Sequence, residues 1–423
     1  MTAMKGWMMR AAYFLGGVVV SLSVAQSGFA DDLSDSSFFK DSKTQILNRN
    51  FYFNRDYRNT ASTAQSKRDE WAQGLIATFN SGFTPGVIGV GVDAIGMVGL
   101  KLDSSPDRIN TGLLPSSGSG RVGVDHAQND YSKAAGALKF KFSNTVLKYG
   151  QQQVNTPVFA TSDNRLLPET VEGFYLSSKE ISGLNIEAAH FTSMTLKERT
   201  SRAASKLTDA DLVGATYSLT KSLTAGLYAS SVKDYWDKQY FGLNWIKPLD
   251  ASQSVALDFR FYDQKSIGQE LGGDLDNKSF SLRGSYAVGA HKFMLASQRI
   301  QGKGGYTFYV DGGSSNYMAN FIQYAEFTRE DERSWQARYD FSFAGVGVPG
   351  LDFMVRYVRG NNIKVAGYDD AQKEWERNVE LGYTVQSGPL RDLSFRLKQA
   401  TYRNSFNGDL DDVRFITQYP LNF

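Results

Sequence analysis

Along most of this chain apolar and polar residues alternate one for one. Successive side chains of a strand point to opposite sides, so this period marks strands with one apolar and one polar face. Leu138, Phe140 and Phe142 enclose Lys139 and Lys141, and Val255, Leu257, Phe259 and Phe261 interleave with Asp258, Arg260 and Tyr262. Trp335, Ala337, Tyr339, Phe341 and Phe343 alternate with Gln336, Arg338, Asp340 and Ser342. Phe353, Val355 and Tyr357 flank Arg356; Val379, Leu381 and Tyr383 surround Asn378 and Glu380; Leu393, Phe395 and Leu397 alternate with Ser394, Arg396 and Lys398. The final run keeps Val413, Phe415, Tyr419, Leu421 and Phe423 in one parity. Short turn signals stand between some of these runs, at Lys247 to Asp250, Gly289 to His291, Val348 to Gly350 and Ser387 to Leu390. Other connections are long and polar: 104–130, 151–170, 198–211, 266–277, 303–316 and 364–374.

The pattern predicts an all-β protein, a transmembrane antiparallel up-and-down β-barrel. Its short turns would face the periplasm, and its long connections would form extracellular loops and inward folds. At about 10 residues per strand, about 18 strands fill the chain after Ala30, and about 16 fit nearly as well. A soluble β-sandwich or β-helix would also bury one face, yet would not call for aromatic residues at so many strand ends.

Aromatic residues make up 13% of the chain, 22 Tyr and 28 Phe among them, which suits girdles at both membrane interfaces. The absence of cysteine rules out a disulfide scaffold, a thiolate nucleophile and any Cys-ligated zinc or iron–sulfur centre. A net charge of +2 argues against a nucleic-acid partner. Residues 1–30 carry Lys5 and Arg10, an apolar run, then Gly28 and Ala30, and read as a secretory signal peptide cut before Asp31. Gln26 and Ser27 interrupt the run, which falls short of the ~20 apolar residues of a membrane anchor. The remainder, 31–423, reads as a single barrel domain. Loss of Lys5 and Arg10 takes the 46 basic residues to 44, against 44 acidic ones, so any field the mature chain uses must be arranged internally.

Several stretches carry a more specific signal. Arg49-Asn-Phe-Tyr-Phe-Asn-Arg55, Glu70-Trp-Ala-Gln-Gly74, Phe79-Asn-Ser-Gly-Phe-Thr84, Gly91-Val-Asp-Ala94, Gly99-Leu-Lys-Leu-Asp103, Thr111-Gly-Leu-Leu-Pro115 and Ser162-Asp-Asn-Arg-Leu-Leu-Pro168 lie in this order. Glu180-Ile-Ser-Gly-Leu184, Arg333-Ser-Trp-Gln336, Val348-Pro-Gly-Leu351 and Gln386-Ser-Gly-Pro-Leu390 come after them. Together they resemble the OprD family of substrate-specific outer-membrane porins across essentially the whole mature chain. The resemblance implies a monomeric 18-stranded barrel in the outer membrane of a Gram-negative bacterium. It further implies a pore narrowed by the third and seventh extracellular loops and a ladder of basic residues on the wall. Substrates of the family are small carboxylates, basic amino acids in one branch and aromatic or cyclic acids in the other. A terminal Phe423 resembles the signal read by the barrel-assembly machinery, and outer-membrane lipids and lipopolysaccharide are the expected surroundings.

Parity supplies an independent search for the ladder. Lys101, Lys139, Lys141, Arg260, Arg283, Arg338, Arg356, Arg396, Lys398 and Arg414 all fall on the polar side of their strands. A cation on the lipid side near mid-membrane would cost about 2–4 kcal/mol, which makes parity informative. Each could equally be a rim residue or the partner of a nearby carboxylate. Arg49 and Arg55 are ambiguous, because Phe51 and Phe53 share their side. Ser162, Asp163 and Arg165 would line the constriction if the third loop folds inward. Asp274, Asp276 and Asp311, in Gly-rich contexts, would supply an acidic patch opposite the ladder, an Asx-turn being the alternative for each. Tyr306, Phe308, Tyr309 and Tyr317 crowd the seventh loop and tilt the expected substrate toward benzoate-like acids, with basic amino acids as the alternative. Transport is expected rather than a structural barrel with a plugged lumen or catalysis: His126, His190 and His291 read as surface or turn residues with no Gly-x-Ser-x-Gly elbow among them. No cofactor or metal is expected, and the pairs Asp369-Asp370 and Asp411-Asp412 read as solvated loops.

Overall fold

The structure, a computed structural model, describes residues 37–58, 64–202 and 206–423. The segment read as a signal peptide, 1–30, lies outside the described residues. Eighteen antiparallel strands form one sheet: β1 (Lys43–Arg58), β2 (Lys67–Asn80), β3 (Gly89–Asp103), β4 (Asp130–Phe142), β5 (Thr145–Gln152), β6 (Thr170–Ser178), β7 (Leu184–Thr195), β8 (Ala210–Ser218) and β9 (Leu223–Val232), continuing as β10 (Trp236–Pro248), β11 (Gln253–Ser266), β12 (Asp276–Val288), β13 (His291–Lys303), β14 (Arg333–Ser342), β15 (Leu351–Ile363), β16 (Gln372–Thr384), β17 (Ser394–Asn404) and β18 (Asp409–Asn422). Each strand pairs with its neighbours in sequence, and β1 pairs with β18, so the sheet closes on itself and leaves no edge. Closure runs to the last residue, where the Phe423 N–H donates to the Thr44 carbonyl at 2.9 Å.

Parity divides the two walls as the alternation requires. Leu138, Phe140, Leu257, Leu295, Trp335 and Leu397 are exposed on the outer face, while Lys139, Asp258, Tyr262, Gln336 and Arg414 are buried toward the bore. Outer aromatics gather at both ends: Trp335, Tyr357 and Trp375 succeed one another at 5.6 Å ring spacings near the extracellular ends of β14–β16, and His291, Phe293 and Tyr339 cluster at the periplasmic end. One sequence reading is overturned here. Asp411 and Asp412 are strand residues of β18, not a solvated loop: Asp411 pairs with Arg58 and Arg403, and Asp412 is wholly buried. Their place inside an alternating strand, rather than their acidity, decides where they point.

The bore is partly filled by three returning loops, L2 (104–129), L3 (153–169) and L7 (304–332). L7 is longer than the polar stretch read from the sequence, because 317–332 mixes apolar and polar residues without alternation. Each loop carries its own apolar patch. Ile109, Leu113 and Leu114 of L2 and Leu166 and Leu167 of L3 pack on Phe51, Phe53, Met97 and Tyr131 of the wall. Val158 and Phe159 of L3 meet Tyr306, Phe308 and Met318 of L7 against Phe191, Trp236, Tyr240 and Tyr262. Phe327 of L7 sits with Val358, Tyr402 and Leu410. Removing such side chains from water, worth roughly 25 cal/mol per Å² of apolar surface, supplies the drive to fold inward. Two glycines admit the close approaches: a Cβ at Gly74 would press on Leu166, and one at Gly312, held at φ +94°, would run into the Ala160 carbonyl.

Candidate pore and its charged lining

Cations on the inner wall are of two kinds. The first kind tethers loops. Arg49 of β1 donates to both carboxylate oxygens of Asp163, at 2.6 and 2.9 Å, and to the carbonyls of Arg165 and Leu166 at 2.8 and 3.1 Å. Lys133 of β4 donates to the carbonyls of Pro168, Leu196 and Lys197 at 2.6, 3.1 and 3.1 Å, holding L3 beside the next loop along the chain. Lys238 of β10 donates to Asp311 of L7 at 2.5 Å, both side chains wholly buried. Lys101 of β3 reaches the Ala127 carbonyl of L2 at 3.0 Å.

The second kind lines the bore, and here carboxylates are outnumbered. Asp412 accepts from Arg55 at 2.9 Å and from Arg414 at 2.8 Å. Glu380 pairs with Arg396 at 2.5 Å and with Lys398 at 3.5 Å. Asp258 pairs with Arg260 and, at 3.5 Å, with Arg283. Asp93 pairs with Lys139 at 2.7 Å and Lys148 at 2.6 Å. Every one of these carboxylates serves two cations, so each cluster keeps positive charge. Arg338 pairs one to one with Asp340, whereas Arg356 donates to the neutral Asn378 at 2.6 Å. Lys141 lies exposed at the periplasmic end, 5.6 Å from the Phe83 ring.

Cross-strand register joins part of the set into a stripe. Arg414 faces Lys398 across β17 and β18, and Arg338 faces Arg356 across β14 and β15. With Arg396 and the adjoining Arg55 of β1, these cations occupy β14, β15, β17, β18 and β1, while β16 between them turns Glu376, Asn378 and Glu380 inward. Arg260 and Arg283 on β11 and β12, and Lys139 and Lys141 on β4, lie elsewhere on the wall.

At the narrowing, Arg165 of L3 donates to the Thr111 carbonyl at 3.0 Å and stands 5.2 Å from the Phe53 ring. Across from it lies Tyr309 of L7, half-exposed and held at φ 90°, a left-handed conformation that an aromatic residue rarely adopts. It is kept there by stacking on Phe308 at 4.3 Å and by a hydrogen bond to Glu326. Glu326, Tyr324, Arg329, Glu374 and Tyr402 line a cleft of about 330 Å³ beside it, and a second cleft of about 430 Å³ leads outward past Arg329 to Lys364. Burial holds Glu326 above the usual carboxylate range, partly offset by the Tyr309 hydrogen bond and by Arg329. Burial likewise lowers Lys197 beneath an ordinary lysine, with Arg165 adding to the effect.

The acidic residues named from sequence do not come together. Asp311 is buried under Lys238, Trp236 and Ser315, while Asp274 and Asp276 are exposed on the rim beside Lys303 and Lys265. Gly-rich context marked loop geometry, not a shared patch, and the carboxylates of the cleft beside Tyr309 are instead Glu326 and Glu374, the latter buried against Tyr402 and 3.6 Å from Arg329. Of the third-loop trio, Arg165 borders the opening, Asp163 tethers the loop, and Ser162 is buried with its N–H donating to Glu169 at 2.8 Å. Tyr306 and Phe308 are loop core, and Tyr317 donates to Asn155 at 2.6 Å, which leaves Tyr309 as the ring of that group turned to the opening. Sequence reading passed over Lys133, Lys238, Glu326 and Glu374. For three of them shared parity was the available signal, Lys133 with Tyr131, Lys238 with Trp236 and Glu374 with Glu376, whereas Glu326 sits in a loop without alternation. His190, Asp209 and Asp211 gather their ligand atoms within 4.8 Å, outside this lining.

Comparison with known proteins bears on all of this. The model described as "outer membrane porin, OprD family" matches residues 36–423. The chain is 39% identical to Porin D of Pseudomonas aeruginosa over 430 residues, covering 95% of each. It is similar to the crystal structure of Pseudomonas aeruginosa OpdK with vanillate, at 36% identity and a TM-score of 0.83, over 91% of this chain and 100% of that one. For Pseudomonas aeruginosa OccK9 (OpdG) the values are 35% and 0.86, over 92% and 100%.

Proposed function

Because the chain belongs to the OprD family of outer membrane porins, we propose that its bore passes small carboxylate-bearing solutes by passive diffusion along the stripe from Arg165, Arg55 and Arg414 to Lys398, Arg356, Arg338 and Arg396. The observation that carries this reading is the shared carboxylate: two cations for each of Asp412 and Glu380 leave net positive charge along one wall. A solute carboxylate entering the narrowing sheds water that these donors replace, and rungs of similar strength let it move on rather than stay bound. Arg suits the task because its planar fork holds a carboxylate at two points.

On the finer question of substrate, Glu326 in the cleft beside Tyr309 favours carboxylates that also bear an ammonium or guanidinium group, such as basic amino acids. A second reading, aromatic or cyclic acids, draws support from Tyr309 at the opening and from the similar porin crystallised with vanillate. Single-channel recording with arginine and with benzoate separates them. Concentration-dependent block by arginine at lower concentration than by benzoate supports the first reading, and the reverse order the second; a conductance indifferent to both sinks the carboxylate route itself. The same reading takes the protein as a monomeric channel rather than an enzyme, its aromatic outer wall seated among lipids and lipopolysaccharide, and exposed Phe423 as the handle for the assembly machinery.

A further inference from the structure

Phe53 of β1 occupies an odd place for a fully buried aromatic ring: it faces the bore and is surrounded by charge. The guanidinium carbons of Arg414, Arg55 and Arg165 lie 4.6, 5.1 and 5.2 Å from its centroid. One of these cations comes from β1, one from β18 and one from L3, so wall and loop converge on a single ring. Asp412 takes Arg55 and Arg414, and its other contact is Gln323 at 2.9 Å. It makes no hydrogen bond to Arg165, whose described partners are neutral carbonyl and amide oxygens. Three like charges served by one carboxylate repel, and rings with a negative face within about 6 Å lower that repulsion without cancelling charge: Tyr324 stands 4.6 Å from Arg55, while Phe53 is the ring that all three guanidiniums share. A second carboxylate in its place would neutralise the cluster; an aliphatic residue would leave the guanidiniums to splay.

We infer that Phe53 is a positioning residue for selectivity, a cation–π pedestal that holds Arg55, Arg165 and Arg414 as one rigid anion-attracting unit at the narrowing. This rests on the carboxylate route proposed above and names the residue that shapes its narrowest rung. Phe53 touches no solute; it acts through the arginines. Purified full-length protein in planar bilayers tests the idea, with anion-to-cation permeability in KCl and the half-saturating concentration of benzoate and of arginine as readouts. Phe53→Leu should raise half-saturation about threefold to tenfold and lower the anion preference, and Phe53→Trp or Phe53→Tyr should restore both. A series of mono-, di- and trifluorinated phenylalanines at position 53 keeps the ring's shape while draining its negative face, and so decides the matter even if Phe53→Leu does not assemble. Half-saturation that climbs step by step along the series supports the pedestal. A flat series in a channel whose wild type saturates with carboxylate overturns it and leaves the route standing, whereas a wild type that never saturates removes the route and the pedestal together.

Discussion

The Lys238 cluster and the Phe53 cluster are built from the same parts, and they do opposite things. In the first, one ammonium stands 4.9 Å from the Trp236 ring and 4.7 Å from the Tyr306 ring and meets one carboxylate, Asp311, which also accepts from Trp236 at 3.2 Å and from Ser315 at 2.6 Å. Its charges cancel, its hydrogen bonds are filled, and the result is an inert tether for L7. In the second, three guanidiniums surround one ring while one carboxylate bonds only two of them, and positive charge is left over beside open space. Neither aromatic company nor burial separates these two clusters. The ratio of cations to carboxylates does.

The sharpest way to break that comparison is to unbalance the tether. Lys238→Met leaves Asp311 buried without its cation, a change that typically costs about 3–5 kcal/mol. Because Asp311 hangs on L7, the cost should appear as a loosened loop: larger and noisier single-channel conductance and faster proteolytic cutting between 304 and 332. The double change Lys238→Met with Asp311→Leu, which removes both charges, should recover most of the wild-type behaviour, since apolar replacement of a buried pair is often near neutral. A double variant no quieter than the single one would mean that the pair does more than cancel itself.

Asp412→Asn unbalances the other cluster in the opposite sense. Each charge-assisted hydrogen bond it forfeits is worth about 1.5–3 kcal/mol, so the barrel should lose some thermal stability. At the same time Arg55 and Arg414 lose their shared counter-charge, and the reversal potential in a KCl gradient should move toward anions. A channel that became less anion-selective would show that Asp412 shapes the arginines more than it neutralises them.

These contrasts also explain what could be read in the chain beforehand. The walls were legible because lipid and water enforce a period of two, and Lys139, Arg260, Arg338, Arg356 and Arg414 all face inward as that period requires. Parity says which side a cation takes, but not whether a loop will come back to meet it, so Lys101 looked like a rung and holds L2 instead. Phe51 and Phe53 blurred the pattern of β1 for the same reason: they are apolar residues on the water side, covered by L2 and L3. The paired leucines of Leu113-Leu114-Pro115 and Leu166-Leu167-Pro168 were the visible trace of those returns, apolar steps inside otherwise polar connections. Asp311 shows the limit from the other side, since nothing local distinguishes a loop acid that faces solvent from one that will be swallowed by the wall.

The smallest effect belongs to the acidic side of the narrowing, where Glu326 is partly open to water and charge pairs are screened. Glu326→Gln should weaken arginine relative to benzoate by about twofold to fivefold, since exposed pairs are worth at most about 1 kcal/mol. Burial raises the Glu326 carboxyl above an ordinary glutamate, so its negative charge is present at high pH and is lost on acidification earlier than that of a surface glutamate. Arginine-over-benzoate discrimination in the wild type should therefore fall as pH is lowered through that raised value and level off where Glu326→Gln already lies. In the variant the same titration should be shallower. If the two proteins titrate in parallel, the discrimination arises elsewhere, and the arginine wall alone, with its surplus of cations over carboxylates, must account for which solutes pass.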